Sequence, residues 1–166
     1  GEYVGFVDSD DWIAPTMYSS LYDAASQCDA DIVVGGHCDM VNGSVRAVKA
    51  HPLAGQILRG SDQILPVRNR LFGHLPEDTE VESFPMRVWT AIYRNDFLKV
   101  NGLKFQAILS EDTIFNLSAY RCANVVAFTG DTDYRYRMDD HSSIMRSFSS
   151  KKLTQYEQFV DTVQFL

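Results

Sequence analysis

The stretch that most constrains this chain is its start, where the apolar run Tyr3-Val4-Gly5-Phe6-Val7 stops at Asp8-Ser9-Asp10-Asp11. A short apolar run bounded in this way reads as a buried strand. In an open α/β sheet, ligands bind beyond the carboxyl ends of the strands. Carboxylates gathered there repel one another unless they are solvated or share a cation. Asp8 and Asp10 leave the strand end together, one residue apart. That spacing suits a divalent ion taking one or two protein oxygens and completing its shell with phosphate oxygens and water.

Other chemistries compete for the same residues. Asp-Ser-Asp-Asp is also a good turn and helix-cap sequence. An EF-hand calcium loop would need Gly at its sixth position and Glu at its twelfth. Counted from Asp8, those positions hold Ile13 and Ser19, which excludes it. An aspartyl-phosphate phosphatase also follows an apolar strand with paired aspartates. It expects a small or β-branched residue after the second one, where Asp11-Trp12 stands.

With 166 residues the chain has the length of one ordinary domain, and its 15 basic against 22 acidic residues give a net charge of −7. A nucleic-acid partner, which needs a basic face, is therefore not expected. An anionic substrate would need a metal or local arginines to hold it. Cys28, Cys38 and Cys122 are odd in number, widely spaced and without a CxxC pair. They argue for a reducing cytoplasm and against a disulfide framework or zinc site. No apolar run reaches membrane-spanning length, so the expectation is a cytoplasmic protein, peripheral at most to the inner face of the membrane.

The remaining pattern alternates strands and helices. A helix is expected from Pro15 to about Gln27, and a strand over Asp31–Gly36, which makes a βαβ unit with the first strand. Asn42-Gly43 marks a hairpin turn. Gly60-Ser61-Asp62 reads as the cap of a helix to Leu71 that Pro66 would end or kink. Leu75 to Pro85, with its acidic core from Glu77 to Glu82, reads as a surface loop. Strand composition follows over Val88–Tyr93, then a short helix capped by Asn95 and closed by Gly102. Ser110 reads as an N-cap, with Glu111-Asp112 in the first helical turn where the macrodipole favours acidic groups. Strands are expected over Asn124–Phe128 and Asp133–Met138. The latter puts Tyr134 and Tyr136 on one face and Arg135 and Arg137 on the other. An amphipathic helix from about Lys151 closes the chain.

Taken singly, these features have plain readings. Glu111-Asp112 is a favourable helix start, the arginines are a solvated strand face, and His141 is a loop histidine. Trp12 and Trp89 could be core or sugar-stacking residues. In combination they carry a resemblance. The segment Gly1 to Trp12 is followed by Trp89, then Tyr93-Arg94-Asn95-Asp96-Phe97-Leu98, Phe105 and Ser110-Glu111-Asp112. Last come Tyr136-Arg137 and Ser143-Ile144-Met145-Arg146. In this order and spacing the chain resembles a family 2 glycosyltransferase of the GT-A fold, the bacterial group that builds capsule, O-antigen and wall polysaccharides.

The resemblance implies an α/β fold with a mixed sheet flanked by helices. It implies a nucleotide-sugar donor, a UDP-sugar above all, and a glycan or lipid-linked glycan acceptor. Asp8 and Asp10 match the DxD motif, the first facing the nucleotide and the second binding Mn2+ or Mg2+, with His141 able to join the metal shell. Asp112 matches the general base and Glu111 stands beside it as the other member of the catalytic pair. Trp89, Arg137 and Arg146 match substrate-binding positions near the diphosphate or the acceptor. Chemically, one base and no protein nucleophile fit an inverting displacement. A phosphohydrolase using Asp8 and a non-catalytic binding module remain as alternative classes. The family's enzymes begin with a half that grips the nucleotide base, and here the chain opens on the metal motif. The expectation is therefore a C-terminal portion of the catalytic domain, inactive alone. It would have an exposed edge on the Tyr3 strand through which two copies could pair.

Overall fold

The apolar residues of β3, Ile32–Val34, divide by a period of two, and that division organises the whole structure. Ile32 and Val34 enter one core cluster and Val33 the other. The neighbouring strands follow the same rule. Ala91 and Tyr93 of β7 (Ala91–Arg94) and Val126 and Phe128 of β8 (Val125–Phe128) join Ile32 and Val34, whereas Ile92 and Ala127 join Val33. A sheet apolar on both faces must be covered on both. The computed structural model describes residues 1–72, 87–138, 150–164 and 166, with backbone only for 72 and 150–153.

Among these residues the main sheet has five strands in the order β1-β7-β3-β8-β6, with β1 at Tyr3–Gly5 and β6 at Ile57–Arg59. β3 runs parallel to β8 and antiparallel to β7, so the sheet is mixed. Helix α1 (Met17–Cys28) covers one face through Met17, Leu21, Ala25 and Cys28, a single stripe at helical spacing. Helices α2 (Ser61–Asn69) and α4 (Glu111–Cys122) cover the other with Ile64, Val67, Phe115, Leu117 and Ala119, and Phe97 of α3 (Asn95–Val100) packs there too. A second sheet of four strands, β2-β9-β4-β5, comprises β2 (Trp12–Ile13), β4 (His37–Val41), β5 (Ser44–Lys49) and β9 (Tyr134–Arg137). Helix α5 spans Ser150–Gln164.

Gly36 joins the two sheets. A Cβ there would collide with the Lys49 carbonyl and lie 2.8 Å from the Ala50 Cα. Only glycine lets β5 end this close to the β3–β4 link. The β4–β5 hairpin turns at Asn42 and Gly43 with φ of 49° and 76°, the two positive values that a type I′ turn requires.

The expected mixed α/β architecture flanked by helices is what the chain adopts, with local differences. β7 begins at Ala91 rather than Val88, because residues 88–90 form a turn. Pro66 does not end α2; it is exposed, so the bond it cannot donate is lost on the solvent side. Asn95 is the first residue of α3 rather than its cap, and its amide and side chain donate to the carbonyls of Glu2 and Gly1 at 2.8 Å each. Strand β6 has no counterpart in the sequence reading. The acidic loop around Glu77–Glu82 lies outside the described residues. β1 stands at the end of its sheet, its outer edge unpaired among the described residues.

Candidate active site

Three distant segments converge where β1 ends. The loop after β1 carries Asp8, Asp10 and Asp11, the start of α4 carries Glu111 and Asp112, and β9 supplies Tyr134 and Arg137. Tyr134 is fully buried and works as a bracket. Its hydroxyl accepts the Asp8 amide at 3.1 Å and donates to Asp11 Oδ2 at 2.9 Å. The other Asp11 oxygen, Oδ1, accepts the Arg137 amide at 2.7 Å, and the Asp11 amide donates to the Asp8 carbonyl at 3.1 Å. Both carboxylate oxygens of Asp11 are thus taken up in pinning the loop to β9. Burial pushes the Asp11 carboxyl upward, and the Arg137 amide and the Tyr134 hydroxyl oppose that shift.

Asp8 and Asp10 are exposed beside this bracket. The Asp8 carboxyl is raised first by desolvation, then by the charges of Asp11, Asp10 and Glu111. Asp112 is half-buried at the first turn of α4, and its Oδ2 accepts the Val88 amide at 3.3 Å. Burial lifts its pKa from 3.8 to about 6; the Val88 bond opposes the rise, and the charges of Glu111 and Asp8 add to it. Asp8, Glu111 and Asp112 therefore act on one another electrostatically, although more than a hundred residues separate the first from the last two. Ser110, immediately before them, holds φ 57°, and its side chain makes no capping bond. A non-glycine residue in this left-handed region is strained, and such strain concentrates near functional sites.

The aromatic residues form the floor. Trp89 is 5% exposed, stacked on Tyr134 at 4.2 Å and on Tyr136 at 5.4 Å between ring centroids. This indole belongs to the core, under the bracket. Trp12, in contrast, is 39% exposed, and the Arg137 guanidinium lies 5.9 Å from its ring centroid. Arg137 thus reaches the carboxylate cluster by its backbone and the exposed indole by its side chain. His141 and Arg146 lie outside the described residues.

Among the described residues no group of three or more His, Cys, Asp or Glu side chains is arranged to hold a metal ion. Asp11 being engaged at both oxygens, Asp8 and Asp10 are the carboxylates of this loop left to meet a cation. They form an all-oxygen donor pair with mutual repulsion to relieve, as a hard divalent ion with few protein ligands requires. The three cysteines, two buried and one half-buried, are unpaired. Among the described residues no helix is long and apolar enough to cross a membrane.

The sequence reading did not assign roles to Asp11 and Tyr134. The tyrosine's place on the inward face of β9 was legible from the two-residue alternation; its bonds to Asp8 and Asp11 depend on the sheet pairing of β2 with β9.

No protein-family model matches the chain. It is 30% identical over 144 residues to the uncharacterized glycosyltransferase EpsJ of Bacillus subtilis, covering 86% of this chain and 39% of that protein. It is 25% identical to the uncharacterized glycosyltransferase YibD of Escherichia coli, covering all of this chain and 47% of that protein. The chain thus spans less than half the length of these relatives. Among solved structures, Staphylococcus aureus TarS 1-349 in complex with UDP-GlcNAc superimposes with a TM-score of 0.67 at 18% identity, covering 98% of this chain and 43% of that one. The likeness establishes that the mixed α/β arrangement is one found in a glycosyltransferase.

Proposed function

We propose that this chain forms the part of a metal-dependent, inverting glycosyltransferase of family 2 that carries the metal-binding aspartates and the general base. The observation that carries the reading is the convergence of Asp8, which lies beside Asp10, with Asp112, whose carboxyl is lifted to about 6. The relatives named glycosyltransferases and the UDP-GlcNAc complex of TarS support a nucleotide-sugar donor, a UDP-sugar first among the candidates. A polysaccharide or lipid-linked glycan of the cell surface is the acceptor that fits the family.

Asp8 and Asp10 would hold Mn2+ or Mg2+, whose chemistry is to offset the charge building on a departing diphosphate. The chain's own residues do the rest. Asp112 takes the proton of the acceptor hydroxyl as the new bond forms, a task for which a carboxylate with a pKa near 6 is better matched than an ordinary one. The Val88 amide fixes the oxygen that does not take the proton. Tyr134 and Asp11 hold the Asp8 backbone in place, and Arg137 adds positive charge beside the cluster. Asp112 acting as a base, with no covalent intermediate, fits a one-step displacement that inverts the anomeric centre.

The test separates the two acidic sites in the complete polypeptide. Asp10→Ala should abolish metal-dependent donor binding. Asp112→Asn should leave donor affinity nearly unchanged while kcat falls by about 100-fold or more. Equal loss of UDP-sugar affinity in both variants, measured by calorimetry, would remove Asp112 from the base role. Thermal protection by phosphate analogues rather than by UDP with Mn2+ would point to a phosphohydrolase instead.

A further inference from the structure

A concavity of about 490 Å³ opens where the two sheets meet, lined by Gly36, His37, Lys49, His51, Arg87 and Thr90. Its polarity is opposite to that of the carboxylate cluster. Asp39 is buried behind two of the lining residues, with Oδ2 at 2.7 Å from Lys49 Nζ and Oδ1 at 3.3 Å from His37 Nε2. Arg87 is half-buried, 5.0 Å from the Trp89 ring and 5.9 Å from that of Tyr136, with NH1 2.7 Å from His37 Nε2. Among the described residues no carboxylate forms an ion pair with Arg87. Burial and the Arg87 charge keep His37 neutral, with a pKa of about 4, and burial keeps His51 neutral likewise. Lys49 and Arg87 against Asp39 leave the cavity with one net positive charge, in a chain whose net charge is −7.

A guanidinium stacked on aromatic rings keeps its edge for a planar or tetrahedral oxyanion, which it binds through two parallel N–H donors. A half-buried guanidinium with no anionic partner among the described residues gains from a bound anion, which adds a charge-assisted pair to the neutral contact with His37. The cavity also has the volume of a small-molecule site. It shares a wall with the carboxylate cluster. Arg87 precedes Val88, whose amide holds Asp112, and Thr90 follows Trp89, which stacks on Tyr134.

We propose that this cavity binds an anionic group, phosphate or carboxylate, carried by the acceptor, with Arg87 as its two-pronged partner and Lys49 as the second charge. The assignment to an acceptor rests on the glycosyltransferase reading; the anion site rests on the cavity alone.

The experiment follows the imidazole resonances of His37 and His51 by NMR in the 166-residue chain. Glycerol 1-phosphate and glucuronate are titrated, with glycerol and glucose as neutral counterparts. The anions should give saturable shifts in the millimolar range and the neutral probes should bind about tenfold more weakly or worse. The stronger of the two anions identifies the acceptor's charged group. Arg87→Gln should weaken the anion about tenfold and Arg87→Lys, which keeps the charge but not the fork, by less. Circular dichroism confirms that both variants fold. Equal shifts with neutral probes, no saturation up to about 50 mM, or unchanged affinity in Arg87→Gln would overturn the anion site. UDP with Mn2+, added to the complete polypeptide alongside the anions, separates the two claims. Loss of that response with anion binding intact would overturn the assignment to an acceptor. Loss of anion binding with the UDP response intact would overturn the cavity alone.

Discussion

Replacing Asp112 by Asn should stabilise the folded chain at neutral pH and do nothing for it in acid. Asparagine keeps an oxygen for the Val88 amide, so the geometry is conserved and only the charge goes. The carboxyl pKa is about 6 in the folded chain against 3.8 when unperturbed. The folded state therefore holds this proton more tightly than the unfolded state. Stability is fully present below the unfolded value and is lost as pH rises through the folded one. The difference amounts to about 3 kcal/mol, reduced to about 2 kcal/mol because solvent reaches the half-buried side chain. Urea unfolding of both proteins at about pH 4 and pH 8, in chelator, measures it. The variant should match the parent near pH 4 and exceed it by about 2 kcal/mol at pH 8. An equal difference at the two pH values, or a variant less stable at pH 8, would refute the claim that Asp112 is held ionised at a cost.

Other consequences follow from the same geometry. In the complete polypeptide the rate at saturating donor should rise through an acid limb with an apparent pKa of about 6 and then level; a limb near 4 would separate catalysis from Asp112. Tyr134→Phe removes the acceptor for the Asp8 amide and the donor to Asp11, and should cost about 2 kcal/mol by urea unfolding while weakening divalent-ion binding. Gly36→Ala forces a methyl group into the Lys49 carbonyl and should lower stability by at least about 2 kcal/mol, read as a drop in Tm; an unchanged Tm would mean the two sheets are not locked there. The edge of β1, unpaired among the described residues, should make the 166-residue chain self-associate as concentration rises in sedimentation velocity, and a strictly monomeric chain would contradict this.

Much of the fold was legible because it is local. The Asn42-Gly43 turn demands two positive φ values, and the residues that tolerate them are there. Helix α1 shows its buried stripe as plainly in the sequence as in the structure. β6 was not legible, since Ile57–Arg59 is short and only its antiparallel pairing with β8 makes it a strand. Residues 88–90 have strand composition, yet the Val88 carbonyl closes a turn by accepting the Ala91 amide at 3.2 Å, and the Val88 amide goes to Asp112 instead of a neighbouring strand. For the site, the aspartates after β1 and Glu111-Asp112 could be picked out by residue type and position. The bracket of Tyr134 and Asp11, the burial of Trp89 and the cation at Arg87 could not, since each arises from contacts between segments far apart in the chain.

The central claim is that Asp8 and Asp10 form one site with Asp112 for a divalent ion and a nucleotide diphosphate. Paramagnetic broadening by Mn2+ tests it directly, with amide resonances followed in the 166-residue chain, and with and without UDP in the complete polypeptide. Substoichiometric Mn2+ should broaden residues 8–11 first, with Glu111 and Asp112 following; UDP should sharpen the selectivity and Asp10→Ala should abolish it. Broadening confined to other acidic surfaces, or unchanged in Asp10→Ala, would contradict it.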